Sequence, residues 1–354
     1  AWANAVGRVY FPTTRIDQTL VAIRVVRDAQ LDAKSNRATG VGTSIAVRLA
    51  RASVFSARSV SEGDADVKFQ LSMRQWPEYK QLMRLDKPIG IYLLLWPTWW
   101  ALWLASEGTP SSLMLIVFTA GVVLMRSAGC VINDYADRHF DGSVERTKLR
   151  PLAAGRVTPS EALQLFAVLL ICSALLLLFL NWQTVLLSFV AVVLAASYPF
   201  MKRYTHLPQV VLGMAFSWGM PMSYMAIQQQ LPFEVWLLYA ANLSWTVAYD
   251  TYYAMVDQND DEKIGVKSTA RLFGSWARPI IVSLQLIALG LMVWVGIVAK
   301  LHLSYFVTVL AAVPLFIWQY RLSMQGREGC FKAFLHNHYV GALWFVAVCL
   351  GIYA

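Results

Sequence analysis

Long apolar stretches separated by short polar loops recur along most of this chain. Nine apolar spans can be counted from about residue 88 onward. They lie near 88–105, 112–132, 161–180, 183–200, 208–227, 232–254, 279–299, 303–320 and 334–353. Crossing a membrane takes about 20 apolar residues in a helix, and several spans only just reach that length. Pro97, Pro221 and Pro314 interrupt three spans, which is tolerated where neighbouring groups satisfy the freed carbonyls. The pattern predicts an all-α polytopic membrane protein, a bundle of about nine transmembrane helices.

Basic residues mark alternate loops and so indicate an orientation. Lys and Arg precede the first span and follow spans 2, 4, 6 and 8, whereas the other loops carry almost none. By the positive-inside rule, the N-terminus and the even-numbered loops face the cytoplasm or matrix. The net charge of +9 is then a feature of membrane topology, and no nucleic-acid partner is needed to explain it. With 57% hydrophobic and 14% charged residues, the chain departs from soluble domains, in which about a quarter of residues are charged.

Residues 1–70 differ in character from the rest of the chain. They contain no membrane-length span, and residues 33–60 hold five basic residues and no acidic one. This texture resembles an organelle transit peptide, and a surface-lying or disordered extension fits it equally well. We therefore expect a polar, basic extension of unknown role over 1–70 and a transmembrane domain over 71–354.

Two acidic clusters end two of the spans. Asn133, Asp137 and Asp141 follow span 2 at steps of four residues, and Asp257 and Asp261 follow span 6 with the same step. Residues four apart lie on one face of a helix, about 6 Å apart along its axis. Because spans 2 and 6 end on the same side of the membrane, the two columns of oxygen atoms are expected to face each other.

Facing carboxylates repel one another and take up protons unless a cation lies between them. Mg²⁺ is the cation that prefers carboxylates, water and phosphate oxygens, so two such columns suit a metal-bound diphosphate. The nearby Arg138, Lys202 and Arg203 would neutralise the remaining charge of that ligand. The alternative is that the clusters are ordinary solvated loop acids. Tyr198, one turn before Lys202, is either part of this ligand site or an interfacial anchor.

Cysteine and histidine indicate no further chemistry. Cys130, Cys172, Cys330 and Cys349 form no CxxC pair, so we expect neither disulfides nor a zinc site. His336 and His338 lack companions at ligand spacing, and we interpret them as interfacial polar residues.

The paired motifs NDxxDxxxD at 133–141 and DxxxD at 257–261 resemble those of the UbiA-type intramembrane prenyltransferases. The likeness runs from about residue 74 to the C-terminus and includes "RLDKPIG", "LLLWPTWWALW", "YPFMKRYTHLPQVVLG" and "CFKAF". One departure is visible, because Leu149 stands where the resemblance leads us to expect Asn before Arg150.

The resemblance implies a central cavity, Mg²⁺, a polyprenyl diphosphate donor and an aromatic acceptor. The detailed likeness around 198–208 and 245–269 favours 4-hydroxybenzoate as acceptor, a step of ubiquinone biosynthesis, over naphthoate, homogentisate or haem. It further implies metal binding by Asn133, Asp137, Asp141, Asp257 and Asp261, with the four aspartates also catalytic. Substrate binding falls to Arg138, Tyr198, Lys202 and Arg203. We expect contact with membrane lipid, no obligate protein partner, and a bacterial inner membrane, or alternatively the mitochondrial inner membrane.

The two substrates bring two anions, and the sequence offers Lys202 and Arg203 for them. The planar fork of Arg203 suits the benzoate carboxylate and the point charge of Lys202 suits phosphate. Two other classes of protein share some of these features. A transporter usually places its carboxylates in mid-helix, and a soluble prenyl diphosphate synthase shares acidic Mg²⁺ motifs but has no nine apolar spans.

Overall fold

The computed structural model describes residues 70–138, 141 and 147–353. Within them the α-helices are α1 Trp76–Leu82, α2 Ile89–Ala105, α3 Ser112–Asp137, α4 Pro159–Leu176, α5 Trp182–Tyr204, α6 Pro208–Ser217, α7 Gly219–Gln228, α8 Phe233–Ile264, α9 Thr269–Phe273, α10 Ala277–Val298, α11 Leu303–Leu310, α12 Ala312–Ser323, α13 Gly326–Leu335 and α14 Asn337–Tyr353. Short 3₁₀ helices lie at Met73–Gln75, Leu177–Phe179 and Gly274–Trp276. The predicted extension over 1–70 lies outside the described residues, apart from Gln70.

In this described part there is no strand, and the helices other than the short α1 form nine rods. Four pairs run on almost without a break: α6 with α7, α9 with α10, α11 with α12, and α13 with α14. Seven of the rods are long and apolar enough to cross a membrane. The other two are α2, with 17 residues, and α8, whose 32 residues end in an acid-rich segment. The prediction of an all-α, multi-pass membrane bundle is confirmed.

The prolines act differently from one another. Helix α2 continues through Pro97, so this proline does not interrupt its span as the sequence suggested. Pro221 and Pro314 instead lie in the first turns of α7 and α12, just after the breaks at Trp218 and Ala311. Proline is tolerated in a first turn because the N–H groups there have no partner within the helix. These two prolines therefore mark real interruptions.

Polar residues in front of the apolar runs set where several helices begin. The side chain of Ser111 accepts a hydrogen bond from the Met114 amide at the start of α3. Asn181 does the same for the Thr184 amide at the start of α5, at 2.9 Å. Thr158 and Glu161 form a reciprocal capping box at the start of α4. Each cap satisfies an amide that the helix leaves without a partner.

The core of the bundle is a cluster of buried tryptophans. Trp100 of α2, Trp245 of α8 and Trp344 of α14 are fully buried, and their ring centroids lie 5.6–5.7 Å apart. The indole of Trp100 donates to the Gly341 carbonyl at 3.0 Å, and that of Trp245 donates to Asn337 at 2.8 Å. Each ring thus buries a large apolar surface while its N–H keeps a partner, which joins α2, α8 and α14.

The ends of α3, α5 and α8 meet at one side of the bundle. Lys202 near the end of α5 is ion-paired with Asp137 at the end of α3. The Lys267 amide, just after α8, donates to the Lys202 carbonyl at 3.1 Å. Gly265 ends α8 with φ of 75°, a left-handed conformation that glycine adopts without strain. The helix ends that carry the two acidic motifs are therefore brought to the same place.

Candidate active site

The bundle contains a partly open cavity of about 1550 Å³. Eight of the nine site residues expected from the sequence line it: Asn133, Asp137, Asp141, Tyr198, Lys202, Arg203, Asp257 and Asp261. We call the part lined by the motif residues 133–141 and 257–261 the acidic end. The two columns of oxygen atoms thus share one cavity.

Basic side chains from other segments hold the carboxylates of the first motif. Asp137, which is 4% exposed, is ion-paired with Lys202 of α5. Arg150, in the loop before α4, lies 2.9 Å from Asp141 and 2.9 Å from Asp134. Arg84, which precedes α2, contacts both oxygens of Asp134 at 2.9 and 3.1 Å. Opposite charges close to buried carboxylates offset their desolvation cost.

The second motif has a basic partner from the far end of the chain. Arg327 in α13 lies 3.5 Å from Asp257 and 2.9 Å from Asp260. Asp257 and Asp261 line the cavity, whereas Asp260 does not. The four-residue spacing of α8 therefore directs Asp257 and Asp261 inward and leaves Asp260 on a different face.

The predicted basic ligands occupy different positions. Arg203 donates to the Ala136 carbonyl at 2.8 Å, so Lys202 and Arg203 both lie against the end of α3. Arg138 does not line the cavity. Its guanidinium lies over the ring of Tyr135, 4.2 Å from the centroid, and donates to the Tyr135 carbonyl at 2.7 Å. Lys202 and Arg203 are placed to act at the acidic end, and Arg138 packs on its own helix.

Leu149, the departure from the family pattern, is 71% exposed and lines the cavity. The neighbouring Arg150 still reaches Asp134 and Asp141. The loop therefore keeps its charged contact with the first motif without an amide side chain at position 149.

The donor set at the acidic end suits a hard divalent cation. It consists of carboxylate and amide oxygens, and Oδ1 of Asp137 is buried without a hydrogen-bond partner among the described residues. Within that same part of the chain, no three His, Cys, Asp or Glu side chains form a ready-made metal cluster. Mg²⁺ commonly takes only one or two carboxylates, with water and substrate phosphates completing its shell. The arrangement fits a cation that arrives together with a diphosphate.

Among the charged cavity residues that were not predicted from the sequence, two lie inside apolar spans. Arg126 of α3 and Asp250 of α8 both line the cavity. Each precedes the first motif residue of its helix, Asn133 or Asp257, by seven positions, about 10 Å at 1.5 Å per residue. A lone charge inside an apolar span is by itself a signal of function. The predicted site included only residues at helix ends, so these two single charges inside the spans were not identified.

We call the region around Arg126, Asp250, Tyr198 and Tyr249 the inner end of the cavity. The Arg126 guanidinium lies over the Phe216 ring, 5.7 Å from its centroid. Its Nε is buried without a hydrogen-bond partner among the described residues. Buried polar groups normally have partners, so this nitrogen is available to a polar ligand at the inner end.

Comparison with known proteins places this geometry in context. Residues 94–350 match the model of the UbiA prenyltransferase family. Over 284 residues the chain is 57% identical to the 4-hydroxybenzoate octaprenyltransferase of Pasteurella multocida. The matched residues make up 80% of this chain and 98% of that protein. The chain is 58% identical over 282 residues to the 4-hydroxybenzoate octaprenyltransferase of Ectopseudomonas mendocina, covering 79% and 95% respectively.

Solved structures share the fold. A UbiA homolog from Aeropyrum pernix superposes with a TM-score of 0.66 at 25% identity, covering 73% of this chain and 96% of that chain. A UbiA homolog from Archaeoglobus fulgidus bound to GPP and Mg²⁺ gives a TM-score of 0.57 at 18% identity, covering 77% and 99%.

Proposed function

This chain belongs to the UbiA prenyltransferase family, and from that membership we propose that it is an enzyme that prenylates 4-hydroxybenzoate. The donor is a polyprenyl diphosphate, and the new bond forms at the ring carbon ortho to the hydroxyl. The observation that carries the proposal is that one cavity is lined by both acidic motifs and, seven positions before Asn133 on α3, by Arg126. Relatives with 57–58% identity bear the name of this activity, which supports the choice of acceptor.

The acidic end is the proposed site of the diphosphate. Asn133, Asp137, Asp141, Asp257 and Asp261 would hold Mg²⁺, consistent with the Mg²⁺-bound Archaeoglobus homolog. When bound, the metal withdraws negative charge from the diphosphate and makes it a better leaving group. Lys202 and Arg203 would contact the phosphate oxygens directly. Arg84 and Arg150 add positive charge at the same end, since both line the cavity and both hold Asp134.

Departure of the diphosphate leaves positive charge on the allylic carbon of the donor. Tyr198, Tyr249 and Tyr253 line the cavity. Aromatic faces stabilise a cation by about 0.5–2 kcal/mol each, and a site closed to water prevents its capture as an alcohol. The ring proton of the acceptor then passes to a carboxylate of the acidic end or to the released diphosphate.

The inner end is the proposed site of the acceptor. Arg126 offers a planar fork suited to a carboxylate, and its buried Nε lacks a partner among the described residues. Lys202 and Arg203 are held against the end of α3, on the side of the diphosphate. We therefore assign the benzoate carboxylate to Arg126 in place of Arg203. An acceptor anchored there presents its hydroxyl end toward the acidic motifs.

The membrane setting agrees with this chemistry, because a long polyprenyl chain and its product are insoluble in water. We propose the bacterial inner membrane, with the N-terminus and the acidic end on the cytoplasmic side. The mitochondrial inner membrane is the alternative. The product is then an intermediate of ubiquinone biosynthesis.

The test is an assay of the purified protein in lipid with Mg²⁺, a polyprenyl diphosphate and a panel of aromatic acceptors. We expect 4-hydroxybenzoate to be prenylated ortho to its hydroxyl, and chelation of divalent cations to abolish the reaction until Mg²⁺ is restored. Product formed only from a naphthoate, homogentisate or haem would move the chain to another branch of the family. No product from any acceptor, with movement of a substrate across the bilayer, would favour a transporter.

A further inference from the structure

Gly90 of α2 lies directly against the guanidinium of Arg126. A Cβ added at position 90 would lie 2.4 Å from Nε, 2.6 Å from Nη2 and 2.8 Å from Cζ of that side chain. Contacts this short do not occur in folded proteins. The guanidinium can therefore occupy its present position only if residue 90 has no side chain.

The backbone does not explain this glycine. Gly90 is not among the glycines with positive φ, and glycine inside a helix is less stable than alanine. Among the glycines of residues 70–138 and 147–353, Gly90 is the one whose added Cβ would meet a charged side chain. The others meet apolar or polar neutral atoms, such as Gly296 against Tyr305, or open space, such as Gly290. The space at Gly90 is therefore specific to Arg126.

The guanidinium is held from two sides. The α2 backbone at Gly90 lies on one side, and the Phe216 ring lies 5.7 Å away by centroid distance. Arg126 ends a flexible side chain, so a methyl group at position 90 would displace the guanidinium without displacing a helix. The expected consequence is a change in function at nearly constant fold.

We propose that Gly90 is a positioning residue that keeps open the slot in which Arg126 meets the acceptor carboxylate. This inference rests on the proposed function, specifically on the assignment of that carboxylate to Arg126. The absence of a side chain at position 90 would then contribute to the selection of carboxylated acceptors.

The experiment compares Gly90→Ala with wild type, varying 4-hydroxybenzoate and the polyprenyl diphosphate in turn. We expect the KM for 4-hydroxybenzoate to rise about tenfold, the scale of one lost charge-assisted hydrogen bond. The KM for the diphosphate should stay within about twofold, because the acidic end is not touched. Equal increases in both KM values would overturn the inference, since a general packing defect has that effect.

Two glycines provide matched controls outside the cavity lining. Gly290→Ala makes the same chemical change where no atom lies within 4 Å. It should leave both KM values unchanged and should not lower the melting temperature, because alanine is more stable than glycine inside a helix. Gly296→Ala places a Cβ 2.4 Å from the ring of Tyr305, so it should lower the melting temperature without changing the ratio of the two KM values. If Gly296→Ala changes that ratio as Gly90→Ala does, the effect is unspecific and the inference fails.

A double-mutant cycle separates this inference from the proposed function. In an Arg126→Ala background, Gly90→Ala should change kcat/KM for 4-hydroxybenzoate by less than about twofold. A full tenfold loss in that background would overturn the positioning role and leave the proposed function intact. If Arg126→Ala alone leaves the acceptor KM unchanged, the carboxylate assignment fails and the role of Gly90 fails with it.

Discussion

The two ends of the cavity are built from different chemistry. At the acidic end, side chains from other segments pair with the carboxylates, as Lys202 does with Asp137 and Arg327 with Asp257. At the inner end, Arg126 and Asp250 are single charges among tyrosines. Dense, paired charge suits a polyanion that brings its own cations. A single arginine whose Nε lacks a partner among the described residues suits a small ligand with one negative charge.

Removal of a carboxylate from the acidic end should have the largest effect on activity. Asp137→Ala and Asp257→Ala should each lower kcat/KM on the order of a hundredfold or more, because metal binding supplies several kcal/mol to the departure of the diphosphate. Steady-state kinetics at saturating Mg²⁺ measures the loss, and membrane insertion is checked in parallel.

Asp260 provides the matched control, because it lies on the same helix and pairs with Arg327 but does not line the cavity. Asp260→Ala should change kcat/KM only a few fold. If Asp260→Ala lowers kcat/KM as much as Asp257→Ala does, activity depends on the charge of the whole acidic segment. The cavity-facing positions of Asp257 and Asp261 would then have no special importance.

At the inner end, Arg126→Ala should raise the KM for 4-hydroxybenzoate roughly ten- to a hundredfold, the equivalent of about 1.5–3 kcal/mol for a bond to a charged group. The KM for the polyprenyl diphosphate should hardly change, since about 10 Å of helix separates Arg126 from the first motif. Competition by unsubstituted benzoate should weaken in parallel. An increase confined to the diphosphate KM would show that the two ends are assigned the wrong way round.

Lys202→Ala and Arg203→Ala test whether both basic residues bind the diphosphate at the acidic end. Both side chains lie against the end of α3, so each should raise the diphosphate KM about tenfold, the lower part of the range for a charge-assisted bond. The sequence alone favoured a split, with Arg203 on the carboxylate and Lys202 on phosphate. Varying each substrate in turn decides between these readings, because that split requires Arg203→Ala to raise the acceptor KM more.

The features that could be predicted from the sequence depend on residues close to one another in a single helix. Apolar length predicted the membrane rods, and the four-residue step placed Asp137 and Asp257 on helix faces that line one cavity in the structure. Position inside a span was a poorer guide to helix breaks, because Pro97 lies within an unbroken α2 and Pro221 lies in the first turn of α7. In a first turn the missing N–H of proline costs nothing, whereas Pro97 removes a backbone hydrogen bond inside α2 without ending that helix.

Partners from distant segments were beyond the sequence. Arg84 and Asp134 are 50 positions apart, and Arg327 reaches α8 from 67 positions away at Asp260. Helical periodicity carries no information about such pairs, since they depend on how the rods pack. Arg126 is a different case, because a charge inside an apolar span is visible in the sequence. What the sequence does not reveal is its contact with Gly90, which the packing of α2 against α3 creates.

Arg138→Ala should have the smallest effect on activity, and it tests whether Arg138 binds substrate. The family motif assigns it to the substrate, but its guanidinium packs on Tyr135 and it does not line the cavity. If that position is kept during turnover, Arg138→Ala should change either KM by less than about threefold, within the range of a surface substitution away from special features. Lys202→Ala, measured in the same assay, shows that a loss at the acidic end is detectable. A tenfold increase in the diphosphate KM for Arg138→Ala would mean that its side chain leaves Tyr135 when the donor binds, and the acidic end would then extend past the last turn of α3.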